Sequence, residues 1–192
     1  MENPRVLDIG CGSGIPSLEL ARLSQGEVIG IDIDQPALDK FDIRIKQAGL
    51  IDQVQALNCS MFNMDFPDES FDIVWSEGSI YAIGFERGLR EWKRLLKPSG
   101  FIVVHDEQGN VKGKLKQISN CDYELLGYFV LSKEIWCAEY FTPLEKWITE
   151  SGTKYTNDPK IIEELHQAQV ELDMFNENPE RNSSIYLVMK NR

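Results

Sequence analysis

Apolar positions along the first half of the chain switch repeatedly between two periods. Residues 5–9 form a short aliphatic run that ends in glycines. Residues 15–23 follow at helical spacing, with Pro16 in the first turn, where a missing N–H costs nothing. The pair recurs: 27–33 reads as a second strand, and 36–49 as a second helix with Ala37, Phe41, Ile45 and Ala48 on one face. Residues 54–58 predict a weaker third strand. Residues 71–75 predict a fourth, introduced by the turn-forming Pro67-Asp68-Glu69-Ser70. In 85–96, Phe85, Leu89, Trp92 and Leu96 repeat at helical spacing until Pro98-Ser99-Gly100, and 101–105 is then a fifth strand, apolar up to His105. Strands apolar on both faces and separated by helices predict a parallel sheet covered on both sides, a doubly wound α/β domain.

Beyond Asp106 the rhythm changes. Residues 123–132 read as a sixth strand, 142–151 and 159–175 as helices, 176–183 as a polar loop and 184–189 as a late strand. No repeat or linker interrupts the chain, so a single domain over 1–192 is expected, with 1–106 as one half and 107–192 as the other. The composition, 42% hydrophobic and 27% charged, suffices for one core without a disulfide or metal staple. A net charge of −11 speaks against nucleic acid, whose phosphates need a concentrated basic surface. Arg87, Arg90, Lys93, Arg94 and Lys97 cluster, but they interleave with Glu86 and Glu91 as on the solvated face of one helix. The four cysteines lack CxxC spacing, so neither zinc nor disulfides are expected. With no export signal and no apolar run of membrane-spanning length, the expected compartment is the cytoplasm and no membrane partner is expected.

The chemistry concentrates at the ends of the strands. Asp8-Ile9-Gly10-Cys11-Gly12-Ser13-Gly14 joins the first strand to the first helix. Glycines there serve a tight turn and also let a ligand approach the backbone closely. The third glycine stands two residues after the second, whereas the dinucleotide fingerprint spaces them three apart. The Asp8 carboxylate would repel a pyrophosphate and attract a ligand carrying an ammonium and a sulfonium. Asp32, in Gly30-Ile31-Asp32-Ile33-Asp34, lies about 20 residues beyond the loop at the end of the second strand, where an acidic residue accepts from two ribose hydroxyls. Asp34, two residues before Pro36, is the better helix cap.

These segments carry a specific resemblance. Residues 6–14 resemble the first motif of class I S-adenosylmethionine (SAM) dependent methyltransferases, and 30–34 their second. Phe66-Pro67-Asp68-Glu69-Ser70-Phe71-Asp72-Ile73-Val74 is similar to the approach to their fourth strand, and Leu95-Leu96-Lys97-Pro98-Ser99-Gly100 to the turn before their fifth. Glu77-Gly78-Ser79-Ile80-Tyr81, Trp136 and Tyr140-Phe141-Thr142-Pro143-Leu144 resemble a prokaryotic branch that acts on small molecules. The resemblance implies a Rossmann-like sheet of seven strands, mostly parallel, with the last strand inserted antiparallel. It implies SAM as cofactor, S-adenosylhomocysteine (SAH) as product, no metal, and a small-molecule methyl acceptor.

By position, Asp8, Gly10, Cys11, Gly12 and Gly14 would surround the methionine portion and ribose. Asp32 would hold the ribose and Ile33 pack on the adenine, whose edge meets Ser60 and Met61 where the family often has an acidic residue. Ser76 and Glu77 would reach the methionine ammonium or the transferring methyl. Displacement at a sulfonium methyl mainly needs alignment, and a base only if the nucleophile carries a proton. His105 is then either a general base or a satisfied strand-end histidine, and Glu77 either an acceptor contact or a ligand of the ammonium. Tyr81, Trp136 and Tyr140 would contact the acceptor, though core packing accounts for such aromatics equally well, as for Trp75. His166 reads as solvent-facing.

Two departures shape the remaining expectations. Few residues precede the first strand, whereas the family usually carries helices there, so the cofactor is expected to be partly exposed or covered by a second subunit in a homodimer. No Asn-Pro-Pro-Tyr segment follows the fourth strand, which removes the usual sign of base-directed amino-group methylation. A SAM-binding protein without turnover is the alternative of a different class. An NAD-dependent oxidoreductase is opposed by the glycine spacing and by Asp8.

Overall fold

The computed structural model describes residues 2–154, 158–177 and 183–192. Its elements run β1 (Arg5–Ile9), α1 (Ile15–Ser24), β2 (Glu27–Asp32), α2 (Gln35–Ala48), β3 (Val54–Asn58), β4 (Phe71–Glu77), α3 (Phe85–Trp92), β5 (Leu96–Glu107), α4 (Val111–Asn120), β6 (Tyr123–Leu131), α5 (Lys133–Trp136), α6 (Thr142–Lys154), α7 (Pro159–Glu177) and β7 (Ser184–Asn191). The strands form one sheet in the order β3-β2-β1-β4-β5-β7-β6. Pairing is parallel from β3 to β5, and the last strands are antiparallel, with β7 inserted between β5 and β6. The doubly wound sheet read from the sequence is therefore the observed one. Strand order reverses between β1 and β4, and such a switch point places ligands at the carboxyl ends of the strands.

Local chemistry sets the element ends. Pro16 sits in the first turn of α1 and Pro36 in that of α2, whose N-cap Asp34 accepts from the Ala37 N–H at 3.3 Å, as the sequence predicts. On one face of the sheet, Val6 and Val28 pack with Leu18 and Ala21 of α1 and Phe41 and Ile45 of α2. The charged face of α3 is solvated, with Arg87 paired to Glu91 and Arg90 to Glu86. Several elements differ from expectation. The fourth strand continues through Ser76 and Glu77. The helix expected over 85–96 ends at Trp92, because a 3-10 turn at Lys93–Leu95 brings Leu96 to pair with Phe71. Helix α4, capped by the Asn110 side chain on the Gly113 N–H, lies in a stretch to which the sequence pattern assigns no element.

The chain divides into two compact units. The first holds residues 1–106, 110–129 and 186–192, and the second 107–109 and 130–185. In the second, Trp136, Tyr140, Phe141 and Phe175 form a ring cluster, and Trp136 Nε1 donates to Ser184 Oγ at 3.1 Å. Residues 176 and 177 of the expected polar loop end α7, and 178–182 lie outside the described residues. His166 is exposed, as read from the sequence. Among the described residues no helix is long and apolar enough to cross a membrane, and no cluster suits a metal ion.

Candidate functional site

A cleft of about 260 Å³ opens at the carboxyl ends of β1, β2 and β4, entirely within the first unit. Its floor is Gly10, Ile31 and Asp32, and its far side Ser60, Met61 and Ser79. Three apolar side chains on its rim stand largely in water: Ile33 at 71%, Phe62 at 52% and Tyr81 at 72% exposure. Apolar surface held open around a polar floor is the usual anatomy of a small-ligand site.

The Asp32 carboxylate is fixed from two sides. One oxygen accepts the Gly12 N–H at 2.8 Å and the other the Asp34 N–H at 3.0 Å. Each carboxylate oxygen has a second lone-pair direction, so capacity for two further donors remains. The loop is held independently as well. The Gly10 and Cys11 N–H groups donate to the Ile31 carbonyl at 2.8 and 3.0 Å, and Arg44 Nη1 donates to the Ser13 carbonyl at 2.7 Å.

The glycines of the loop serve different purposes. Gly14, at φ +77°, caps α1, and a Cβ there would stand 1.9 Å from the buried Phe41 ring. Gly12, at φ +52°, has nothing within 4 Å of its missing Cβ, so the space beside it is open. Gly12→Val is expected to lower stability by only about 1–2 kcal/mol, the cost of a left-handed L residue. SAM binding in calorimetry should nevertheless be lost, and normal binding would show that this glycine serves the turn alone.

Asp8 lies beneath the loop rather than in the cleft. It is buried, and Ser17 Oγ of α1 donates to it at 2.5 Å. Burial pushes its carboxyl up to about 7, the Ser17 hydrogen bond opposes this, and the charges of Glu77 and Asp32 reinforce it. A folded-state value above the ordinary 3.8 favours the protonated form, so this contribution to stability is present below pH 4 and lost as pH rises through 7. Between pH 5.5 and 7 the loss should approach roughly 2 kcal/mol, at about 1.4 kcal/mol per pH unit. Asp8→Asn should remove that slope in denaturant melts across pH, and a slope shared by wild type and variant would refute it.

Other expected residues take distinct places. Cys11 is buried, and burial holds its thiol far above the usual range. Ser76 is fully buried and bonds Ser79 Oγ at 2.7 Å, so it supports the cleft wall instead of facing a ligand. Glu77 Oε1 accepts from Trp75 Nε1 at 2.8 Å, and the Tyr186 hydroxyl donates to the same carboxylate. His105 pairs with Glu77 across β4 and β5, stacks on Tyr186 with ring centroids 4.3 Å apart, and is held below its usual range by burial. Trp136 and Tyr140 belong to the second unit; burial, with Glu171 beside it, pushes the Tyr140 hydroxyl up to about 12.

The sequence reading missed Ser79, Ser17, Phe62 and Tyr186. Ser79 Oγ donates to the Ile9 carbonyl at 2.6 Å and so ties the loop after β4 to the end of β1. Its position next to Gly78 within the quoted 77–81 motif was the available signal. Ser17 and Tyr186 gave none, because their partners lie 9 and 109 residues away.

The comparisons with known proteins follow the same geometry. Residues 6–100 match a family described as "Methyltransferase domain". A sterol 24-C-methyltransferase of Eremothecium gossypii is 38% identical over 102 residues, 53% of this chain and 27% of that protein. Methyltransferase GfsG of Streptomyces halstedii is 31% identical over 129 residues, 67% of this chain and 45% of that one. The matched segments thus cover less than half the length of these two relatives. Among solved structures, a SAM-dependent methyltransferase from Geobacter sulfurreducens in complex with SAH superposes with a TM-score of 0.72 at 17% identity, over 100% of this chain and 86% of that one. With the switch-point cleft, the glycine loop and Asp32 in place, the chain belongs to the class I SAM-dependent methyltransferases.

Proposed function

We propose that the chain binds SAM in this cleft and transfers its methyl group to a small-molecule acceptor. One observation carries the reading: a carboxylate at the end of β2, locked by two backbone N–H groups, still has one acceptor direction free on each oxygen beside an open apolar rim. That suits two adjacent ribose hydroxyls. Ile33, Met61 and Phe62 supply apolar surface for an adenine, while the Ser60 hydroxyl is already engaged by the Phe62 N–H at 3.3 Å. Open space beside Gly12 suits backbone approach by the remainder of the ligand. When bound, the cofactor supplies an electrophilic methyl on a sulfonium. The residues around it orient the acceptor and exclude water, which is where most of the acceleration for such a displacement arises.

The acceptor is a small molecule in this reading, as for the sterol enzyme among the relatives, and the working compartment is the cytoplasm. A homodimer that covers the open rim is part of the same proposal. The test is calorimetry with SAM and with NAD, followed by time-dependent SAH release across an acceptor panel. SAM binding with acceptor-dependent release supports the proposal. Binding without release from any acceptor makes the chain a SAM-binding protein, and NAD binding in place of SAM overturns the reading.

A further inference from the structure

Glu77 sits in an aromatic setting that the cofactor reading leaves unexplained. Trp75 and Glu77 alternate onto one face of β4, His105 stands opposite Glu77 on β5, and Tyr186 and Phe129 continue the row on β7 and β6. The rings are in register. His105 and Tyr186 stack at 4.3 Å, Tyr186 and Phe129 at 4.8 Å, and Trp75 lies 6.4 Å from Tyr186. Phe129 at the end of the row is 53% exposed. The carboxylate is oriented by two neutral donors, the Trp75 indole and the Tyr186 hydroxyl. The first cations after Glu77 in sequence serve other carboxylates: Arg87 pairs with Glu91, Arg90 with Glu86, and further on Lys97 with Asp72. The next residues after Glu77, Gly78 and Ser79, line the cleft.

A carboxylate held against π faces favours one ligand chemistry. An ammonium bearing alkyl groups gains Coulomb attraction from the carboxylate, cation–π attraction from the rings, and apolar contact for its substituents. A neutral or anionic group gains little or is repelled, and the net charge of −11 works in the same direction.

We propose that the Trp75–Glu77–His105–Tyr186–Phe129 row is the acceptor subsite and that its ligand is an N-alkylated amine, protonated in solution. This rests on the SAM-dependent reading above and narrows it to nitrogen. The ammonium first gives its proton to His105, whose imidazole burial keeps neutral at neutral pH. The freed nitrogen lone pair then forms the N–CH3 bond while the S–CH3 bond breaks. The bonding pair stays on sulfur as the thioether of SAH, and His105 returns its proton to solvent. A tertiary amine so leaves as a quaternary ammonium, with its charge still facing the rings.

The experiment titrates the full chain, saturated with SAH, with choline and with its neutral isostere 3,3-dimethyl-1-butanol, by calorimetry. Choline should bind about tenfold or more tightly than the alcohol. Glu77→Gln should erase that preference while SAM and SAH affinities hold. Tyr186→Phe, which keeps the ring, should retain most of it, and that variant also reports on folding if Glu77→Gln is unstable. Equal binding of the two probes, or binding of neither, in a protein that binds SAM overturns the inference and leaves the methyltransferase reading intact. Weakened SAM affinity in Glu77→Gln also overturns it, since Glu77 would then serve the cofactor. Failure of wild type to bind SAM counts against the earlier reading instead.

Discussion

Gly14→Ala should lower the thermal midpoint of the domain by about 4–20 °C. Two costs add. The residue caps α1 in the left-handed region at φ +77°, where an L side chain costs about 1–2 kcal/mol. The new Cβ would lie 1.9 and 2.1 Å from two carbons of the Phe41 ring, which is fully buried in a cluster with Leu18, Ala21 and Val28. Overpacking of this kind costs about 1–3 kcal/mol, and for a chain of this length each kcal/mol shifts the midpoint by roughly 2–4 °C. Phe41→Leu isolates the steric part. Removing the ring edge should make Gly14→Ala less damaging in the double variant than in the single, a coupling that a double-mutant cycle measures directly. Additive effects would show that only the backbone cost is real.

Asp32→Ala should weaken SAM binding by at least about a hundredfold. Charge-assisted hydrogen bonds to a carboxylate contribute about 1.5–3 kcal/mol each, and the proposed site makes two to ribose hydroxyls. The same substitution releases the Gly12 N–H, now 2.8 Å from the carboxylate, so the glycine loop loses one of its restraints as well. Asp32→Asn separates the contributions. It keeps an oxygen acceptor and a similar shape, and should retain the thermal midpoint better than the alanine variant while still losing most of the affinity. Calorimetry and thermal melts read the two effects independently. Unchanged affinity in both variants would remove Asp32 from the site and with it the basis of the functional reading.

The half of the fold up to Asp106 was legible because its signals are local. Strand runs, the glycine loop, Asp34 as cap and the prolines opening α1 and α2 each declare themselves within a few residues. Helix α4 was not legible. Val111, Leu115 and Ile118 do stand at helical spacing, but three apolar residues set among Lys112, Gly113, Lys114 and Lys116 make a stripe too narrow to declare a helix. The site divides along the same line. The place of Asp32 in the cleft could be read because it follows from the end of a strand. The inward turn of Asp8 onto Ser17 could not, since it depends on which residue of α1 faces the sheet. The partnership of Glu77 with Tyr186 depends on a strand inserted more than a hundred residues later, and no spacing in the sequence encodes it.

The restraint of Asp32 by Gly12 and Asp34 has a kinetic consequence. The carboxylate and the loop take up their arrangement through bonds within the chain itself, so a ligand meets a surface already in place and need not order it on arrival. Encounter frequency then sets how quickly the cleft fills, and a strongly acidic protein draws cations faster than neutral molecules. SAM carries one net positive charge and SAH carries none. The long-range field that speeds the arrival of the first does nothing for the second, so spent cofactor must compete for re-entry by diffusion alone, and rising salt narrows the advantage from one side only.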